Sequence, residues 1–267
     1  MSFQIKIGVG ADIEYYETIE EIVDLQHYNL ISYLVCRGNS LTELPDKLPK
    51  KLLGLYCDNN NLTTLPKLPN CLEELYCSNN QLTELPELNE IIPKFKDYPE
   101  MEFSFLKKIY CHNNNLTTLP KLPRFLKLLD CRNNNLTSLT ELPIVLQELN
   151  CHHNKLITLP ELPESLYNLN VNNNQLTNLP KMPFYLSNLN CSYNKIQFLP
   201  ELQENLEYLE CNDNNISTIY NLPKNLIKLN CSNNNIKKLF YIPHNVKTII
   251  MDDDLTEQYN KENVLEI

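Results

Sequence analysis

The sequence predicts a parallel β-solenoid: short strands stacked side by side in one sheet, each returned by an extended segment with little helix. Three observations carry that prediction. Cysteine recurs at 36, 57, 77, 111, 131, 151, 191, 211 and 231, a 20-residue step that Val171 and Met251 complete where no thiol stands. Leu and Asn, 48 and 39 of 267 residues, make up about a third of the chain, a bias that ordinary globular domains do not carry. Fifteen of the seventeen prolines keep the same phase, at 45, 66, 86, 120, 160, 180 and 200 and at 49, 69, 123, 143, 163, 183, 223 and 243.

Residues 1–30 precede the first unit and read as a cap of a strand and a short helix. Phe3, Ile5, Ile7 and Val9 alternate as a strand does. Thr18-x-x-Glu21 reads as a capping box, opening a helix with Ile19, Ile22 and Val23 on one face. Gly8-x-Gly10 lacks the third glycine of a dinucleotide fingerprint and reads as a turn.

Residues 31–254 hold eleven units of about 20 residues. One unit reads L-x-x-L-x-C-x-x-N-x-L-T-x-L-P-x-L-P, as in Leu146, Leu149, Cys151, Asn154, Leu156, Leu159, Pro160, Leu162 and Pro163. L-x-C alternates with period two, so Leu and Cys point one way and their neighbours the other. Twenty residues cannot bury that face alone, so neighbouring units must stack it into a continuous core. Proline every third residue excludes a helix and favours extended, polyproline-like chain on the convex side. The Asn column, Asn39, Asn60, Asn80, Asn114, Asn134, Asn154, Asn174, Asn194, Asn214 and Asn234 followed by Asp254, is expected to satisfy backbone groups left unpaired where the chain leaves each strand, as a ladder of asparagines. The step from 77 to 111 carries an insertion near 89–105 with three Phe, one Tyr and two Pro. It is too apolar for a floppy loop, and reads either as packing on the convex side or as a contact loop. Residues 255–267 lose the pattern and read as a C-terminal cap or tail.

Composition excludes several classes. No apolar run approaches the roughly 18 residues of a membrane span, and 42% hydrophobic residues is too many for a disordered chain. A net charge of −10 argues against a nucleic-acid partner, which needs clustered cations. The N-terminus lacks the charged start and apolar core of a secretion signal, so an intracellular, reducing location is expected. No cofactor or metal is expected, because thiols 20 residues apart on stacked strands form a line and ligands must converge on a point. The column thiols read as small buried hydrophobes. Cys211-Asn212-Asp213 matches the C-x-D string of one class of bacterial ubiquitin ligases, but Cys211 sits in the core column. No His pairs with a nucleophile, so an enzyme is not expected.

The strand face opposite the core is not fixed by the repeat and is free to encode a partner. After the core Leu it reads Val35, Tyr56, Tyr76, Tyr110, Asp130, Asn150 and on; after the Cys it reads Arg37, Asp58, Ser78, His112, Arg132, His152 and on. Tyr and Arg are favoured interface anchors, so Tyr56, Tyr76, Tyr110, His112, Leu128, Asp130, Arg132 and His152 form the candidate partner-binding set. The alternative is that stacked tyrosines merely support one another across strands. A monomer binding a protein, such as one of a host, is the expected state; a structural or virion-associated building block is the second reading.

The repeated phrase, seen at Leu72 to Leu88 and Leu146 to Pro163, resembles the short leucine-rich repeats of the YopM and IpaH group of bacterial effectors. Those carry an aliphatic residue where this chain has Cys. The Cys version is similar to leucine-rich repeat proteins of giant DNA viruses. The resemblance covers about residues 31–254 and implies a leucine-rich repeat solenoid, a curved right-handed horseshoe with a parallel concave sheet and a nearly helix-free convex side. It also implies a role in binding proteins; it transfers no ligase activity.

Overall fold

The computed structural model describes residues 3–8, 12–88, 105–237, 239 and 241–257, and these fall into two compact units, Met1–Leu136 and Thr137–Ile267. The insertion expected near 89–105 lies, apart from Phe105, outside the described residues, as do Val9 and residues 258–267.

In the first unit the chain enters as a hairpin of β1 (Phe3–Lys6) and β2 (Ile13–Tyr16), followed by α1 (Ile19–Val23) and a 3-10 turn at Tyr28–Leu30. Thr18 caps α1 by accepting a bond from the Glu21 N–H at 3.3 Å, while a Glu21 side-chain oxygen accepts from the Glu17 N–H at 3.0 Å. Ile19 and Ile22 are buried, but Val23, expected on the same face, is exposed. Strands β3 (Tyr33–Val35), β4 (Gly54–Tyr56), β5 (Glu74–Tyr76), β6 (Lys108–Tyr110) and β7 (Leu128–Asp130) then pair in parallel and in register. Leu34, Leu55, Leu75, Ile109 and Leu129 form one fully buried row along them. β1 runs antiparallel beside β3, laying Phe3 and Ile5 over the otherwise open end of that core.

The second unit repeats the plan with β8 (Glu148–Asn150), β9 (Asn168–Asn170), β10 (Asn188–Asn190), β11 (Tyr208–Glu210), β12 (Lys228–Asn230) and β13 (Thr248–Ile250), whose neighbours pair in parallel. The architecture is a parallel-sheet β-solenoid with little helix.

The column residues do the mechanical work. Cys36, Cys57, Cys77, Cys111 and Cys131 in the first unit, and Cys151, Cys191, Cys211 and Cys231 with Val171 in the second, are buried beside the leucine row. Asn80 shows the role of its column: its Nδ2 donates to the carbonyls of Cys57 (3.0 Å), Cys77 (3.1 Å) and Ser78 (3.3 Å), and its Oδ1 accepts from the Leu62 N–H at 2.9 Å. Asn60, Asn114, Asn174 and Asn214 repeat the pattern. The residue before each of these takes a left-handed backbone, with φ near 51–59° at Asn59, Asn79, Asn113, Asn173 and Asp213, which Asn and Asp tolerate best.

The last turn departs from the sequence reading. Residues 253–257 are helical, so Asp254 is carried off the column, and the Asp252 carboxylate accepts the N–H groups of Asn233 (2.7 Å) and Asn234 (3.4 Å), which backbone carbonyls take in earlier turns, as those of Ser78 and Asn79 do for Asn59 and Asn60. The convex segments contain no helix among the described residues. After the second proline each segment closes in a turn, with the Leu N–H donating to the proline carbonyl, as in Leu52 to Pro49 (3.1 Å) and Leu146 to Pro143 (3.0 Å).

Candidate functional site

Parallel pairing in register fixes what stands beside what on the solvent face of the first unit. Tyr56 lies opposite Tyr76, and Tyr76 opposite Tyr110. Strands about 4.8 Å apart leave room for aromatic rings only if they stack. The Tyr56 and Tyr76 centroids are 4.8 Å apart at 24°, and those of Tyr76 and Tyr110 4.5 Å apart at 17°. The Arg37 guanidinium lies across the first two rings, 4.8 Å from the Tyr56 centroid and 5.3 Å from that of Tyr76, and is itself held by Asp58 at 2.7 Å.

A second row braces the first. The Tyr56 hydroxyl donates to Glu74 Oε2 at 2.7 Å, and Lys108 Nζ donates to Glu74 Oε1 at 2.9 Å. Burial pushes the Glu74 carboxyl up, but the bonds from Lys108 and Tyr56 outweigh it and hold the group below its usual range. The Tyr56 phenol moves up, through burial and then through its bond to Glu74. Gly54 is part of the same construction, since a Cβ there would lie 2.7 Å from the Tyr33 ring and 2.8 Å from the Tyr56 ring. The missing side chain makes space for the two rings.

Asp130 succeeds Tyr110 in the row and is only 7% exposed. Arg132 approaches it twice, with Nη1 3.3 Å from Oδ2 and its backbone N–H donating to Oδ1 at 3.4 Å. Burial raises the Asp130 carboxyl against the opposing pull of Arg132 and His112, and burial lowers His112. His112 Nδ1 and Ser78 Oγ are buried without a hydrogen-bond partner among the described residues. Leu128 sits opposite Lys108, in the bracing row.

Seven of the eight candidate residues, Tyr56, Tyr76, Tyr110, His112, Leu128, Asp130 and Arg132, thus share the strand face of the first unit. His152 belongs to the second unit, where its Nδ1 lies 2.6 Å from Nδ1 of His153. Arg37 reads as outward-facing but is left out of the candidate set, and Glu74, Lys108 and Gly54 escaped the sequence reading, although period two alone puts the residue before each core Leu on the same face. The corresponding face of the second unit is rich in amides that bond to one another and to charges, as Asn190 to Glu210 (2.8 Å), Lys228 to Glu210 (2.6 Å) and Ser192 to Asn212 (2.6 Å).

Among the described residues no group of three or more His, Cys, Asp or Glu is placed to hold a metal ion. Nor is any helix among them long and apolar enough to cross a membrane.

A strand-and-return unit with an inward leucine row and a solvent face of variable residues is the arrangement found in leucine-rich repeats. The Leucine Rich Repeat family model matches residues 71–90. Among solved structures the chain resembles YopM, a leucine-rich effector protein from Yersinia pestis, with 37% identity over 81% of this chain and 64% of that one at a TM-score of 0.68. YopM from Yersinia enterocolitica WA-314 gives 34% identity over 83% and 55% at 0.64. The functional domain of InlJ from Listeria monocytogenes, which includes a cysteine ladder, gives 26% over 91% and 56% at 0.66. The chain therefore spans less than two thirds of the length of these relatives. No curated protein sequence matches it.

Proposed function

We propose that the protein is a non-catalytic interaction module that holds a protein partner on the concave strand face of its first unit, from Tyr56 to Arg132. The observation that carries this reading is the Tyr56–Tyr76–Tyr110 stack, pinned by Arg37 and Glu74 before any partner arrives. Rigid aromatic groups lose little conformational freedom on binding, which is how an interface gains affinity from few residues. Three ion pairs, Arg37 with Asp58, Lys108 with Glu74 and Arg132 with Asp130, bind charge to charge within the face and make the tyrosine rings its recognition chemistry. On this reading the module works as a monomer inside a cell, against a host protein if its likeness to effector and giant-virus repeats extends to its use.

The test is affinity capture from host lysate with the wild type and with Tyr76→Ala, Tyr110→Ala and Arg132→Ala. Each substitution is expected to weaken retention of the same partner by about 2 kcal/mol, roughly 30-fold. Unchanged capture by all three would remove this face from the account. A second reading, assembly through sheet edges, draws on β2, whose Ile13 and Tyr15 are 50% and 64% exposed. It predicts concentration-dependent sedimentation, and a strict monomer would eliminate it.

A further inference from the structure

The first unit carries a groove on its flank, away from the tyrosine stack, with a volume of about 1090 Å³. The cap supplies Val23, Tyr28 and Asn29; the convex segments of two successive turns supply residues 45–48 and 50, and 67–71. Its floor is apolar: Leu48, Leu68, Pro45, Pro69 and the Tyr28 ring. The Tyr28 hydroxyl is committed to the Lys47 carbonyl at 2.9 Å, and burial pushes its phenol up to about 12, so it offers no charge.

The rim is cationic. Lys47, Lys50 and Lys67 are all exposed on it against a single acid, Asp46, in a chain whose net charge is −10. Lys47 and Lys50 form no ion pair among the described residues. Three cations gathered over an apolar trough select a ligand with carboxylates along one side and aliphatic groups along the other. A trough of this volume, walled by extended proline segments and open along its length, suits an extended chain better than a compact anion.

We propose that this groove binds an extended acidic peptide segment of a partner protein, with glutamates or aspartates set on Lys47, Lys50 and Lys67 and apolar side chains on Leu48, Leu68 and Tyr28. Cys71, the cysteine outside the buried column, lies in the groove half-buried, its thiol donating to the carbonyls of Lys50 (3.2 Å) and Leu52 (3.3 Å). It serves as a reporter of occupancy.

The probe is a fluorescein-labelled peptide of sequence Glu-Leu-Pro-Glu-Leu-Glu, titrated into the full chain by anisotropy. Saturable binding is expected, weakening from about 0.05 to about 0.5 M salt. The doubly reversed Lys47→Glu/Lys50→Glu protein, both sites being exposed, should bind about tenfold more weakly, while Lys127→Glu, exposed in the same unit outside the groove, should bind as the wild type does. Saturating peptide should also protect Cys71 from iodoacetamide. The proposal is overturned by absence of saturable binding, by equal binding of the Gln-for-Glu peptide, by a doubly reversed protein that binds normally, or by Cys71 reacting at an unchanged rate under saturation.

Discussion

Raising the pH from about 8 to about 10.5, past the ordinary range of a thiol, is expected to unfold this protein in a cooperative transition. The cause is the cysteine column. Burial pushes the thiols of Cys36, Cys191 and Cys231 up to about 12, and those of Cys57, Cys77, Cys111 and Cys211 well above their ordinary value near 9. In the unfolded chain the same thiols ionise normally. Because the folded values are raised, their contribution is complete below the unfolded value and is lost as pH climbs towards the folded one. One pH unit above the ordinary value each thiol costs about 1.4 kcal/mol, so the seven together cost about 10 kcal/mol. That matches the whole stability of a typical domain, about 5–15 kcal/mol. Far-UV circular dichroism against pH is the measurement. Replacing Cys111 and Cys211 by valine, which already stands in the column at 171, should move the midpoint to higher pH. A fold that persists unchanged to pH ~11 would show that the column is not buried as described.

The second large effect falls on the asparagine column. Asn80→Ala removes the bonds it donates to the Cys57, Cys77 and Ser78 carbonyls and leaves the N–H of Leu62 buried without its acceptor, while Asn60 and Asn114 still donate to the Cys57 and Cys77 carbonyls. The expected loss is about 3 kcal/mol, read from the urea midpoint at constant slope. Asn61→Ala, at an exposed neighbouring position, should change stability by less than about 0.5 kcal/mol. Equal losses from the two would mean that the hydrogen bonds of Asn80 contribute nothing beyond helping the turn.

The two predictions rest on the part of the fold that was readable before any coordinates. A 20-residue period and a period of two within it are enough to assign Leu75 and Cys77 inward and Tyr76 outward, because a strand has only two faces. The same rule would have found Glu74 and Lys108 had it been applied one residue earlier in each unit. What periodicity could not supply was everything that depends on backbone handedness or on contacts between distant segments. The left-handed residue before each column asparagine shows in sequence only as a preference for Asn, as in Asn79-Asn80, which His153, Tyr193 and Asp213 break. The loss of Asp254 from the column depends on a helix starting at 253, and short polar sequences carry little helical signal. The lysine-rimmed groove is assembled from the cap and two turns that lie up to 48 residues apart in sequence, from Val23 to Cys71, so no local pattern announces it.

The candidate site was half legible for the same reason. Its tyrosine and arginine columns follow from register. Their rigidity does not: it comes from Arg37 lying across two rings, from Gly54 yielding space to Tyr33 and Tyr56, and from Glu74 joining Tyr56 to Lys108. Such bracing separates a prepared surface from a row of aromatics that merely share a sheet.

The central claim, that partners meet the braced tyrosine face, is tested most directly by placing the photo-crosslinker p-benzoylphenylalanine at position 76 and, separately, at position 185, an exposed tyrosine of the second unit. Illumination in host lysate should join the captured partner to position 76 and leave position 185 without an adduct. A partner crosslinked from 185 and absent from 76 would contradict the assignment of this face.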